Sequence, residues 1–137
     1  MITTLKKKMA LLVALVLVLP TLLKAQEFKA GKFPDRIILT WSADPKTTQA
    51  VTWRTDSTVN QSFAQILVED SSPKLDKPEA KEYQAKTESL KGKAYETANY
   101  HSVNFEGLTS DKLYTYRVGD GTHWSEWFQF KTAPEKE

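Results

Sequence analysis

Between Tyr100 and Lys131 apolar and polar residues alternate with a period of two, and this constrains the fold more than any other feature of the sequence. Tyr100 to Glu106 places Val103 and Phe105 on one face, Leu113 to Gly119 places Tyr114, Tyr116 and Val118, and Trp127 to Lys131 places Phe128 and Phe130. Successive side chains of a strand point to opposite faces, so such segments bury one face in a sheet and cannot bury one as helices of period about 3.6. The same alternation occurs upstream. Asp35 to Trp41 sets Ile37, Leu39 and Trp41 inward, and Ala50 to Thr55 sets Val51 and Trp53 against Thr52 and Arg54. Ala64 to Glu69 sets Ala64, Ile66 and Val68 against Gln65 and Leu67. Asp44-Pro45 and a Ser/Thr/Asn-rich loop supply turns between them. Seven short strands with regular turns predict an all-β sandwich.

The middle of the chain is less regular. Ser71 to Glu79 reads as a Pro-rich charged loop, and Lys81 to Asn99 as an irregular pair of edge strands, one anchored by Tyr83 and one by Tyr95, with Gly92 in the turn between them. The Lys, Glu and Ala content of that stretch leaves an exposed helix as the alternative. Lysines on edge segments also discourage edge-to-edge pairing.

Lys6, Lys7 and Lys8, the apolar run Met9 to Leu19, Pro20 and the ending Leu23-Lys24-Ala25 have the order of a secretory signal peptide. Cleavage is expected after Ala25, giving a secreted or periplasmic protein. An uncleaved anchor is the alternative, although the run falls short of the roughly 20 residues a spanning helix needs. Residues 1–25 are thus read as leader, 26–33 as a lead-in, 34–132 as the domain and 133–137 as the start of a linker. With no cysteine in the sequence the domain has no disulfide and must be held by its core. Four of the 19 basic residues and none of the 17 acidic ones lie in the leader, so the remainder carries 15 against 17, a net charge of −2. That balance gives no electrostatic reason to expect nucleic acid or, once the leader is removed, a membrane surface as partner.

The run Gly107-Leu108-Thr109-Ser110-Asp111-Lys112-Leu113-Tyr114-Thr115-Tyr116-Arg117-Val118 resembles the fibronectin type III signature, in which a Leu precedes a turn and a Tyr follows six residues later. Tyr114 is then the tyrosine-corner residue, its ring in the core and its hydroxyl bonded to backbone just upstream. In order along the chain stand Asp44-Pro45, Val51-Thr52-Trp53-Arg54-Thr55, Tyr100-His101, Gly107-Leu108, Tyr114 to Gly121, Trp124 to Phe128 and Phe130 to Pro134. Together these resemble the N-terminal domain of purple acid phosphatases over roughly residues 33–134. One departure is Thr109-Ser110-Asp111-Lys112, where that family has a Pro-Gly turn.

The resemblance implies a fibronectin type III or immunoglobulin-like sandwich standing ahead of a metallophosphoesterase domain. That partner domain would hold two metal ions and hydrolyse phosphate monoesters, an acid phosphatase activity. None of the family's metal or catalytic residues can be carried onto this sequence, so no catalytic, metal-binding or cofactor residue is expected in it. The residues singled out are structural: Trp53, Leu108, Tyr114, Tyr116, Arg117, Val118 and Trp127.

Other constellations read as structure. His101 and His123 are the only histidines, and both are expected at the surface, with no third ligand converging on either. Gly119-Asp120-Gly121 lies between two strands and predicts a hairpin turn, with no helix N-terminus to receive a phosphate. Trp124-Ser125-Glu126-Trp127 is similar to the Trp-Ser-x-Trp-Ser box of cytokine receptors, but Phe128 replaces the final Ser. If Tyr116 faces Phe128, the ladder sets Arg117 opposite Trp127 on the outer face as a cation–π pair. Asn60-Gln61-Ser62 matches a glycosylation sequon, which matters only in a eukaryotic secretory route. Two functions stay open: a non-catalytic scaffold domain of an exported phosphatase, or a stand-alone extracellular binding module.

Overall fold

A computed structural model describes residues 1–8, 29–69, 76–92 and 96–136. Residues 2–8 are helical, while the apolar run and the cleavage site of the leader lie outside the described residues. Among the described residues the chain forms eight strands: β1 (Asp35–Thr40), β2 (Gln49–Asp56), β3 (Phe63–Val68), β4 (Lys81–Gln84), β5 (Lys86–Leu90), β6 (Ala98–Phe105), β7 (Leu113–Gly119) and β8 (Phe128–Lys131). They make two antiparallel sheets, ordered β1-β2-β6-β5 and β4-β3-β7-β8. The sandwich is all-β, and its inner faces are the alternating residues of the strands.

Between the sheets, Val51, Trp53, Val103 and Phe105 from the first face Ala64, Ile66, Tyr114, Tyr116, Val118 and Phe130 from the second. Register fixes these contacts, since Val51 stands opposite Val103 in one ladder and Tyr116 opposite both Ile66 and Phe128 in the other. Phe105 is the hub of an aromatic cluster, edge-on to Tyr83 at 5.3 Å and to Tyr116 at 6.3 Å, and stacked on Phe130 at 6.5 Å. Burying each such side chain contributes roughly 1.5–3 kcal/mol, and favourable ring geometry adds about 0.5–1.5 more.

The structure corrects the sequence reading in four places. Two strands do occupy the middle segment, but both precede Gly92, they are separated by Ala85 alone, and they belong to different sheets. Ala85 donates its N–H to Ser62 O at 2.9 Å, which holds the crossing point against the sandwich. No helix stands at Lys81–Leu90, and Tyr95 lies outside the described residues.

Trp41, expected inward, is exposed to 74%. Gln49 Nε2 donates to Thr40 O at 2.7 Å and the strand ends there, so the alternation stops one residue before Trp41. Val68 is likewise exposed to 50%, because the end of β3 extends past the covered part of the core. His101, expected at the surface, is exposed to only 1%: it shares its face with Val103 and Phe105 and pairs with Trp53.

A bulge also bends β1. Asp35 pairs with Arg54 but Ile38 with Thr52, and Arg36 takes a left-handed φ of 49° to absorb the extra residue. Arg54 and Asp35 clamp the bulge, with Nε to Oδ1 at 2.8 Å and a second guanidinium nitrogen to Oδ2 at 2.5 Å. The hydrogen bond to Asp35 raises the Arg54 pKa above its ordinary value.

Candidate functional site

The end of the sandwich from which the chain leaves is built from the β1–β2 turn, the β6–β7 turn and the two residues after β8. The tyrosine corner organises it. Tyr114 Oη accepts the Thr109 N–H at 2.9 Å while its ring stacks on Phe130 at 5.6 Å, and Leu108 packs against the core. Thr132, exposed to 2%, then locks the turn: its Oγ1 accepts from Lys112 N–H at 3.0 Å and donates to Thr109 O at 2.7 Å. Backbone bonds continue past the strand, with Ala133 N–H donating to Pro45 O at 3.0 Å and Asp111 N–H to Ala133 O at 3.1 Å. Leu108 N–H donates to Thr47 O at 2.9 Å, so each of the two turns is tied to the other as well as to the departing chain.

On the outer face of the second sheet, the Arg117 guanidinium lies 4.4 Å from the Trp124 ring and 4.6 Å from the Trp127 ring, and its Nε donates to Gln65 Oε1 at 2.8 Å. The expected Arg117–Trp127 pair is present, with Trp127 just ahead of β8, and Trp124 is a second ring on the same cation. Burial lowers the Arg117 pKa from its ordinary value. Gly119 makes the stack possible, because a Cβ there would stand 2.9 Å from Trp124 Cδ2 and 2.4 Å from His123 O. Each cation–π contact contributes about 0.5–1 kcal/mol at such a site, so the cluster fastens the β7–β8 hairpin.

At the opposite end, Asp120 Oδ1 accepts the N–H groups of Thr122 at 2.8 Å and His123 at 2.6 Å, and Oδ2 meets His123 Nδ1 at 2.9 Å. Burial works against the Asp120 carboxylate, but the bonds from His123 and Thr122 outweigh it and hold its pKa below the ordinary range. Gly121 takes a left-handed φ of 94°, as a hairpin turn of this kind requires. A shallow cleft of about 290 Å³ lies between this turn and the β2–β3 loop, lined by Lys32, Thr58, Asn60, Gln61, Asp120 and His123.

His101 lies in the interior, with Nε2 2.8 Å from Thr55 Oγ1 and Nδ1 2.9 Å from Thr87 Oγ1. Thr55 Oγ1 already donates to Asp56 O at 3.1 Å, so it accepts from His101 Nε2–H, and Nδ1 accepts the Thr87 hydroxyl. Burial pushes the His101 pKa down to about 4. Both ring nitrogens are engaged and the ring is neutral, a bridge between β2 and β5 rather than a ligand or a base. Among the described residues no three His, Cys, Asp or Glu side chains converge.

The family model "Purple acid Phosphatase, N-terminal domain" matches residues 34–132. The chain belongs to this family. The match runs from the residue before β1 to Thr132, so the purple acid phosphatase N-terminal domain includes every strand and the tyrosine corner. No curated protein matches the chain.

Among solved structures, Astrotactin-2, described as a vertebrate-specific, perforin-like membrane protein, aligns at 14% identity with a TM-score of 0.51. The alignment covers 76% of this chain and 23% of Astrotactin-2. A computer-redesigned β-sandwich protein aligns at 18% identity and a TM-score of 0.45 over 75% of this chain and 96% of its own. The sensor domain of the anti-sigma factor RsgI4 of Pseudobacteroides cellulosolvens aligns at 13% and 0.44 over 73% and 97%. At such identities the Astrotactin-2 likeness shows the sandwich fold and nothing of activity.

The purple acid phosphatase N-terminal domain therefore offers structural side chains at the positions singled out from the sequence. Trp53, Tyr114, Tyr116 and Val118 are core, Leu108 packs beneath the corner, and Arg117 with Trp127 lies on the outer face. Sequence reasoning did not find Trp124 as the second ring on Arg117, nor the lock formed by Thr132. Trp124 could have been found from the hairpin, since it pairs with Gly119 across a four-residue turn.

Proposed function

We propose that this chain is the non-catalytic scaffold domain of an exported purple-acid-phosphatase-like metallophosphoesterase, and that metal-dependent hydrolysis of phosphate monoesters belongs to a catalytic domain with which it is joined. The family match over residues 34–132 carries the reading. The leader pattern of residues 1–25 supports export. The ordered residues after β8 support a structural role, because they present the chain's departure from a fixed position instead of from a frayed end. Trp124 and Trp127 offer little to an independent binding module, since the Arg117 guanidinium lies over both rings.

The test is to express the polypeptide through the end of its reading frame, from an exporting host, and to assay aryl phosphate hydrolysis with iron, zinc or manganese. A protein that carries a metallophosphoesterase domain, begins at Gln26 and turns over substrate in a metal-dependent way is the expected result. A reading frame or operon partner with no such domain would sink the proposal.

A further inference from the structure

β5 is an edge strand that gives no apolar side chain to the core. It pairs with β6 on one side, and the side chains it turns inward are Thr87 and Ser89, opposite His101 and Asn99. Leu90, its one large apolar residue, has the outer parity and is exposed. Two polar links fasten the strand instead. Thr87 Oγ1 donates to His101 Nδ1 at 2.9 Å, and Ser89 Oγ donates to Asn99 Oδ1 at 2.6 Å. Behind these links His101 and Asn99 are fully buried and held a second time, His101 Nε2 by Thr55 Oγ1 at 2.8 Å and Asn99 Nδ2 by Val59 O at 2.8 Å.

The titratable neighbours of His101 do not favour an imidazolium. Arg54 and Asp56 on β2, Tyr100 on β6 and Lys86 and Glu88 on β5 take the outer parity of the sheet, and Lys86 and Glu88 pair with each other at 2.6 Å. From the second sheet the titratable groups packed in or against the core are Tyr83 and Tyr116, and burial pushes the Tyr116 pKa up to about 12. In the β7–β8 turn Asp120 is already engaged by His123 and two backbone N–H groups. Burial therefore sets the low pKa of His101. Since Nδ1 is bonded to β5 and Nε2 to β2, departure of β5 opens Nδ1 to water and leaves Nε2 bonded, and the ring then returns towards its ordinary basicity.

Loss of β5 costs the sandwich little else. β6 keeps its full ladder with β2 from Ala98 to Phe105, and its core side chains Val103 and Phe105 stay in place. Ala85 N–H, bonded to Ser62 O, pins the chain just ahead of β5, so release begins at Lys86. Segments with few buried apolar contacts and exposed backbone bonds open at the low end of a protein's free-energy range.

We propose that β5 is an acid-releasable cover strand. When His101 takes up a proton, β5 leaves β6 from Lys86 to Leu90 while β1, β2, β6 and the second sheet stay folded, and β6 becomes the edge of a three-stranded sheet. Its freed N–H and C=O groups are then a template on which an extended segment can pair.

Native-state hydrogen exchange of the 137-residue chain tests this, with opening constants corrected for the intrinsic pH dependence of exchange. At pH 7 the β5 amides bonded to β6 should open with a larger equilibrium constant than those of β3 and β7. They should also respond less steeply to urea, since little surface is exposed when one edge strand leaves. Between pH 7 and pH 5 their opening should rise about 20-fold, the ratio for a site whose pKa moves from about 4 when closed to 6.5 when open. In His101→Gln, which keeps a polar side chain but cannot gain a proton, that rise should disappear. If β5 amides in the unsubstituted protein share the protection and urea dependence of β3 and β7, the inference is overturned, because β5 then leaves only when the whole sandwich unfolds. A pH-independent opening of β5, or the same rise in His101→Gln, would overturn it as well, since His101 would then not be the trigger.

Discussion

The Trp53 indole N–H donates to Ser62 Oγ at 3.0 Å, joining the largest fully buried side chain of the first sheet to the residue that precedes β3 in the second. Ser62 Oγ passes the interaction on, donating to Gly119 O at 2.8 Å. Ser62→Ala leaves both the indole N–H and the Gly119 carbonyl short of a partner in a dry site, and should lower stability by about 1–3 kcal/mol. Trp53→Ala should cost about 3–5 kcal/mol by opening a cavity, whereas the exposed Lys91→Ala should change stability by less than about 0.5. Denaturant titration of the three variants checks the order, and an effect of Trp53→Ala as small as that of Lys91→Ala would put the β2 register in error.

Acid should weaken the domain through His101. Its pKa in the folded protein, about 4, lies below the ordinary 6.5 because burial disfavours the imidazolium. A group that the unfolded chain protonates more readily than the folded one contributes its stability fully above the unfolded pKa. That contribution fades as pH falls from about 6.5 towards 4, by up to about 3 kcal/mol. His101→Gln cannot gain a proton, so its stability should fall less over that window than that of the unsubstituted protein. Parallel slopes from pH 7 to 4 in the two proteins would contradict the assignment.

Tyr114→Phe removes the hydroxyl that accepts the Thr109 N–H and keeps the stacked ring. The expected loss is about 0.5–1.5 kcal/mol, one hydrogen bond. A loss above about 3 kcal/mol would show that the ring had shifted as well, since that is the range of a truncated core aromatic.

Asp111 takes a left-handed φ of 54° in the turn where the family has a Pro-Gly pair. Glycine adopts that conformation without the Cβ clash, so Asp111→Gly should raise stability by about 0.5–1 kcal/mol. The change also removes the Asp111–Lys131 ion pair at 2.6 Å, but both partners are exposed and such pairs contribute little. Thermal unfolding distinguishes the terms: a lower midpoint for the glycine variant would mean that the ion pair outweighs backbone strain.

The clarity of the sequence varied with how much of each segment is buried. The bounds of β7 and the facing of Tyr114, Tyr116 and Val118 were legible because one face of that strand is dry along its length. The Arg117–Trp127 contact followed from pairing Tyr116 with Phe128. The parity of His101 with Val103 and Phe105 marks it as inward, against the surface preference of its residue type. The crossing at Ala85 was not legible, since β4 and β5 are mostly exposed and carry little alternation. Trp41 depends on where Gln49 ends the strand, and Thr132 on bonds to a turn 20 or more residues away, neither of which leaves a local signal.

On the proposed scaffold function, this domain supports phosphate ester hydrolysis without performing it. Residues 26–137 should therefore release no product from an aryl phosphate with iron, zinc or manganese present, and the His101→Ala and His123→Ala variants should behave identically. A two-metal hydrolase holds its ions about 3.5–4 Å apart on several converging ligands, and among the described residues His101 and His123 share no such cluster. Metal-dependent turnover by residues 26–137 that either substitution abolishes would contradict the account and place a catalytic site within the sandwich itself.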